Sequence, residues 1–234
     1  MSTEYPKINS LWKREAWYLT EEQKKSKENR EGRNSFIVGD YACPEFCNIK
    51  TWTVTEKVDG TNIRIIFSIK DGVRQEPVIM GKTSAAVIQP FLLPCLQKIA
   101  TWENIDKFLS NTVFDQVVLY GEGYGPKIQA CGANYRDDPG FILFDATVDG
   151  VWLCRSQLNC VAIALKIAIV PILLQPLLGC CWTEEEIVEF VKDKPDSICS
   201  IVNHTMEGVV AKSYPTVYFA DRTPVMFKLK CREF

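Results

Sequence analysis

The sequence predicts an α+β fold with largely antiparallel sheets. Strand-like runs outnumber helical ones, and the two do not alternate in the regular βαβ pattern of a parallel doubly wound sheet. In addition, Asp71-Gly72 lies between two strand-like runs, where this dipeptide favours a tight hairpin turn and antiparallel pairing.

Taken in order, residues 21–35 carry charges of both signs with no apolar periodicity and are expected to be a mobile, solvated segment. Strands are expected near 51–57, 62–69 and 73–80, the last two joined at Asp71-Gly72. Helical patterns follow near 90–98 and 102–110, and further strands near 115–120 and 141–147. The apolar stretch Leu158 to Leu178 is broken by Lys166, Pro171, Gln175 and Pro176, so no part of it reaches the ~20 residues that cross a bilayer. It reads instead as a core helix from Gln157 to Lys166, a buried strand up to Pro171 and a turn. Thr183 ahead of three glutamates starts another helix, with acidic residues suiting the dipole of its first turn. Strands near 206–212 and 225–231 complete the chain, and there is no internal repeat.

The 234 residues suffice for one large domain or two small ones, and residues 1–234 are expected to form a single domain. With 47% hydrophobic and 24% charged residues, the composition is that of an ordinary globular protein. A formal net charge of -2 argues against wholesale electrostatic capture of nucleic acid, yet leaves room for a local basic groove. The ten cysteines form no C-x-x-C pair, and no charged-then-apolar leader opens the chain. The expectation is a cytoplasmic protein with reduced thiols and no membrane partner. A zinc site from Cys43, Cys47 and His204 would need poor ligand spacing.

The chemistry lies in five segments. In Lys57-Val58-Asp59-Gly60-Thr61-Asn62, a lysine stands two residues before an Asp-Gly turn and just ahead of the strand-like Ile63–Ile69. A lysine attacks phosphorus only when deprotonated, so burial or nearby positive charge must lower its pKa from the reference of ~10.4. Tyr120-Gly121-Glu122-Gly123 follows the apolar Val117-Val118-Leu119, which places Glu122 at the exit of a buried strand. Phe141-Ile142-Leu143-Phe144-Asp145 is an apolar strand ending on a carboxylate, and Glu207 opens the short strand that reaches Lys212. In Phe227-Lys228-Leu229-Lys230, alternation sends both lysines to one face. A surface lysine at a hairpin mouth, a solvated strand-end carboxylate or edge lysines that block aggregation would each explain one segment. They do not explain the ordered set.

These segments resemble the covalent nucleotidyltransferases, the superfamily of ATP-dependent DNA ligases, RNA ligases and mRNA capping enzymes, and most of all its RNA ligase 2-like branch. The resemblance runs from about Tyr5 to the last residue and takes in Lys127-Ile128-Gln129 and Asn134-Tyr135-Arg136. It implies an ATP-grasp-like nucleotidyltransferase (adenylation) domain of largely antiparallel sheets flanked by helices. Neither an oligonucleotide-binding barrel nor a helical domain is expected after it, and a protein partner is a candidate to supply that surface.

The resemblance further implies that Lys57 is the nucleophile toward ATP, with Lys228 and Lys230 facing the phosphates and helping to keep Lys57 neutral. Asp59 and Gly60 match the family's turn residues, and Glu56 a residue whose neighbourhood reads the adenine amino group. Asn62 matches a residue holding a water on the catalytic metal, and Glu207 would bind that magnesium or manganese ion. Glu122 would accept hydrogen bonds from the ribose, Phe144 would stack on adenine, and Val210 would line the nucleotide site. Lys82, in Gly81-Lys82-Thr83, stands where close relatives carry arginine, and so keeps the charge without the planar fork. Phe141, an odd number of residues from Phe144, belongs to the core.

The implied activity is that of an ATP-dependent RNA ligase joining 5'-phosphate and 3'-hydroxyl ends, nicked or duplex, through a lysyl-AMP intermediate. Two alternatives remain at this point: a GTP-using capping-type guanylyltransferase, and a non-catalytic module that binds nucleotides or RNA ends.

Overall fold

The structure, a computed structural model, describes residues 3–19, 35–83, 85–109, 113–174, 179 and 181–234. Except for Ser35, the segment 21–35 expected to be mobile lies outside the described residues.

The first strands are β1 (Asn9–Ser10), β2 (Trp12–Arg14), β3 (Phe36–Tyr41), β4 (Trp52–Lys57), β5 (Thr61–Lys70), β6 (Val73–Arg74) and β7 (Val78–Gly81). Next come α1 (Leu93–Ile99), α2 (Trp102–Leu109), β8 (Gln116–Tyr124), β9 (Gly140–Val148), β10 (Val151–Trp152), α3 (Arg155–Leu165) and β11 (Ala168–Ile169). Last are α4 (Glu184–Lys192), β12 (Gly208–Ser213) and β13 (Met226–Lys230). The class is α+β, and β1–β13 and β11–β9 are the parallel pairs in otherwise antiparallel sheets. The chain forms two compact units. One comprises Met1–Pro6, Val58–Pro171 and Ser197–His204, and the other Lys7–Lys57, Ile172–Asp196 and Thr205–Phe234.

The first unit is built on a seven-stranded sheet with β9, β8 and β5 side by side. On one face of β5, Ile63, Ile65 and Phe67 are fully buried against Val117 and Leu119 of β8 and the helix residues Leu96, Leu158 and Val161. Each such burial contributes about 1.5–3 kcal/mol, so this face sets the register. Alternation leaves Asn62, Arg64 and Ile66 on the other face.

Asp71 and Gly72 both have positive φ, 51° and 74°, and close a two-residue hairpin that pairs Lys70 with Val73. The single strand expected over 73–80 is interrupted, however. Val73–Arg74 pairs with Ile69–Lys70 and Val78–Gly81 with Ile63–Ile66, while Gln75–Pro77 belongs to neither. Pro77 has no N–H to offer a ladder.

β8 continues beyond position 120, so Glu122 lies inside a strand rather than at its exit. Its partners on both sides, Asn62 and Ile142, hold it in the ladder despite the flanking glycines. Between β8 and β9, Tyr120 pairs with Asp145 and Gly121 with Leu143, which leaves Phe144 as the extra residue of a β-bulge. Phe141, Leu143 and Ala146 therefore enter the large core, while Phe144 packs with the smaller apolar clusters around Tyr124 and Tyr120. Phe141 is a core residue, as expected.

α3 agrees with the helix expected near 157–166; Lys166 ends it at φ 54°, and the two-residue β11 and buried Val170 follow. Residues 175–178 of that apolar stretch lie outside the description. No described helix is long and apolar enough to cross a membrane.

The second unit carries a four-stranded sheet in the order β1-β13-β12-β4. Trp52, Val54, Val209, Ala211, Phe227 and Leu229 point to its core face, where Phe46, Trp182, Ile187 and Val191 cover them. α4 begins as expected. The Glu186 N–H donates to Thr183 Oγ1 at 3.3 Å, and the Thr183 N–H donates to the Glu186 carboxylate at 2.7 Å.

Candidate active site

The face of the second unit's sheet that points away from its core is basic. Gly208 pairs with Lys57 of β4 on one side and Lys230 of β13 on the other, and Val210 likewise stands between Thr55 and Lys228. Lys228 and Lys230 share a face, as their alternation with Phe227 and Leu229 requires. Gly208 is the residue that permits this row: a Cβ there would lie 2.1 Å from the Leu229 carbonyl oxygen and 2.7 Å from Lys230 Cα.

Glu207, just before β12, joins the two ends of the row. Lys57 Nζ donates to its Oε2 at 2.5 Å and Lys230 Nζ to its Oε1 at 2.6 Å. Burial alone would raise the Glu207 carboxyl, but the two lysines outweigh it and hold the group below the ordinary carboxylate range. Sequence reasoning expected neighbouring cations to surround Lys57. Its direct partner is instead a carboxylate, because the two lysines flank a residue without a side chain and Glu207 reaches between them.

Glu56 alternates to the core face with Trp52 and Val54 and is 1% exposed. The sheet therefore does not bring it to the lysine side.

In the first unit, Asn62 of β5 stands directly opposite Glu122 of β8, whose other neighbour is Ile142 of β9. By alternation and the bulge, Asn62, Glu122 and Phe144 occupy one face. Asp59-Gly60 is not a hairpin corner, since β4 and β5 belong to different sheets. The Asp59 N–H donates to the Tyr135 hydroxyl at 3.3 Å, and Gln129 Nε2 donates to the Gly60 carbonyl at 2.9 Å. A Cβ on Gly60 would lie 2.3 Å from the Gly123 carbonyl oxygen. The segments Lys127-Ile128-Gln129 and Asn134-Tyr135-Arg136, visible in the sequence without a role, are thus what pins this turn. Lys82 is exposed past the end of β7, which flanks β5 on the side away from β8. The register of that pair sets Gly81 opposite Ile63, the residue next to Asn62.

Arg64, 1% exposed on the Asn62 face and the one charge within Ile63–Phe67, is a residue that sequence reasoning did not single out. Its Nε donates to the Gly81 carbonyl at 2.9 Å and its Nη1 to Thr3 Oγ1 at 3.0 Å. Tyr5 was likewise missed as a site residue. Its hydroxyl donates to Asp145 Oδ2 at 2.6 Å, which no local pattern encodes across 140 residues.

Among the described residues no group of three or more His, Cys, Asp or Glu could hold a metal ion. A hydrated magnesium or manganese ion needs less, because it keeps most of its waters and takes one or two protein oxygens. The Glu207 carboxylate and the buried Asn62 Oδ1, which has no hydrogen-bond partner among the described residues, are oxygen donors of that kind.

No curated protein matches the sequence. Among solved structures, a mutant of Naegleria gruberi RNA ligase with ATP and Mn matches with TM-score 0.53 at 19% identity, covering 77% of this chain and 49% of that one. The same ligase with PPi matches with the same figures. A further mutant, with AMP and Mn, matches with TM-score 0.53 at 19% identity over 97% of this chain and 57% of that one. Identity this low speaks for a shared fold, and the chain spans about half the length of those structures. The family model for RNA ligase matches residues 50–230, from ahead of Lys57 to Lys230, and by that match the chain belongs to the RNA ligase family.

Proposed function

We propose that this chain is an ATP-dependent RNA ligase acting through a lysyl-AMP intermediate, with residues 1–234 serving as its adenylation domain. The observation that carries the reading is the row Lys57–Gly208–Lys230 with Glu207 bonded to both amines. It offers a nucleophile, a cation for phosphate oxygens and an oxygen ligand on one face.

In the first step the Lys57 amine, its proton lost, attacks the α-phosphorus of ATP; the N–P bond forms as the bond to pyrophosphate breaks. Lys228 and Lys230 stabilise charge on the phosphates. Phe144 stacks on the adenine, Glu122 accepts hydrogen bonds from the ribose, and Val210 packs against the nucleotide. Asp59 and Gly60, pinned by Tyr135 and Gln129, shape the turn after the nucleophile. Glu207 and Asn62 would hold the divalent ion, which when bound offsets phosphate charge. AMP then passes to the 5'-phosphate of an RNA strand, and a 3'-hydroxyl displaces it to form the phosphodiester. The proposal includes nicked or duplex RNA as substrate, a cytoplasmic setting and a protein partner that supplies further RNA-binding surface. Glu56 would contribute near the adenine amino group, and Lys82 would carry positive charge toward the phosphates.

The test is incubation with labelled ATP or GTP and magnesium or manganese, followed by mass mapping. Adenylate on Lys57 and its loss in Lys57→Ala are expected. Label from GTP alone, or on another residue, would overturn the reading.

A further inference from the structure

We propose that Tyr5 is a positioning residue for the nucleobase, acting through Phe144; this rests on Phe144 being the stacking platform of the function proposed above. Tyr5 belongs to the first unit, although it is far in sequence from the rest of that unit. Its ring lies 4.9 Å from Phe144 at 71°, 5.1 Å from Tyr120 and 5.7 Å from Trp152. Its hydroxyl donates to Asp145, which is 1% exposed. The bulge is what allows this, because it turns the consecutive side chains Phe144 and Asp145 to the same side. One residue can then fix the carboxylate by a hydrogen bond and the aromatic ring by an edge contact.

A side chain that only filled space would need shape alone. Tyr5 has in addition a directional bond to a buried charge, and its backbone segment is tied down by Arg64 through Thr3. Phe144 is only half-buried, so its ring is not held by close packing on every side. A ring held in place before the base arrives loses less freedom on stacking, and that advantage appears in binding.

The experiment compares self-adenylation by the full chain, Tyr5→Phe and Tyr5→Leu, measuring the KM for ATP, the rate at saturating ATP and inhibition by inorganic tripolyphosphate, which has no base. The KM should rise about two- to tenfold, more for Leu than for Phe, in line with the size of aromatic-pair contributions. The saturated rate and the tripolyphosphate inhibition constant should not move. An unchanged KM in both variants would overturn the role of Tyr5 while leaving Lys57 adenylation standing. So would a KM and inhibition constant that rise together, or a smaller adenylated fraction at unchanged KM. An unmodified chain that forms no adenylate on Lys57 would remove both proposals together.

Discussion

Glu207 receives the amine of Lys57 at 2.5 Å, beside a glycine that leaves the space above the strand open. An amine engaged in this way is one half of an ion pair, and attack on phosphorus requires that it shed a proton and leave the carboxylate. The same carboxylate holds Lys230, so the candidate nucleophile and a candidate phosphate-binding cation are positioned by one side chain.

Glu207→Gln should lower Lys57 adenylation by about 100-fold, the scale for removing one aligned electrostatic group from a reaction centre. Rapid-quench measurement of adenylate formation checks this, and a variant within a few-fold of the parent would refute it.

The depressed Glu207 carboxyl also makes a prediction for pH. Its folded value lies below the ordinary 4.5, so its stabilising contribution is fully present above about that pH and is lost as pH falls through the depressed value. Thermal melts between neutral and acidic pH should show this loss in the parent chain and a shallower acid dependence in Glu207→Gln.

Phe141 and Phe144 are three residues apart and should respond oppositely to substitution. Phe141→Ala removes a ring that is 3% exposed in the core and should cost about 3–5 kcal/mol of stability. Phe144→Leu should barely change stability but weaken ATP binding by ~1–3 kcal/mol, roughly five- to 150-fold. Denaturant unfolding and ATP titration separate the two.

Gly208→Ala places a methyl 2.1 Å from the Leu229 carbonyl oxygen. Relief requires β12 and β13 to shift, at a cost of about 1–3 kcal/mol, and should disturb the Lys57–Glu207–Lys230 arrangement. Loss of adenylation together with a lower Tm is expected; a variant with normal activity and stability would show that the row tolerates a side chain.

Gln129 is exposed, and its side-chain amide donates to the Gly60 carbonyl. Gln129→Ala should leave the Tm nearly unchanged yet slow adenylation by roughly tenfold, since small misplacements of a reacting group are costly. Adenylation kinetics beside a thermal melt decide it.

Several parts of the fold could be read locally. The Asp71-Gly72 hairpin, the Thr183 cap and the shared face of Lys228 and Lys230 depend on neighbouring residues and on fixed periods of 2 and 3.6. The break at Gln75–Pro77 and the extension of β8 through Glu122 were not legible. Which residues join a ladder depends on the strand alongside, and for Glu122 those partners are Asn62 and Ile142. The bonds of Tyr135 and Gln129 to the Asp59-Gly60 turn span 76 and 69 residues, and no pattern in either segment points to them.

By itself the sequence determined the reactive groups and their order: a lysine before Asp-Gly, a glutamate between two glycines, a glutamate ahead of a short strand, and two alternating lysines. Tertiary structure alone decided that Glu207 reaches Lys57, that a bulge sets Phe144 beside Asp145, and that Tyr5 returns to both. Side-chain alternation is a property of each strand, whereas the partner, the register and the bulge come from pairing between strands far apart in the chain.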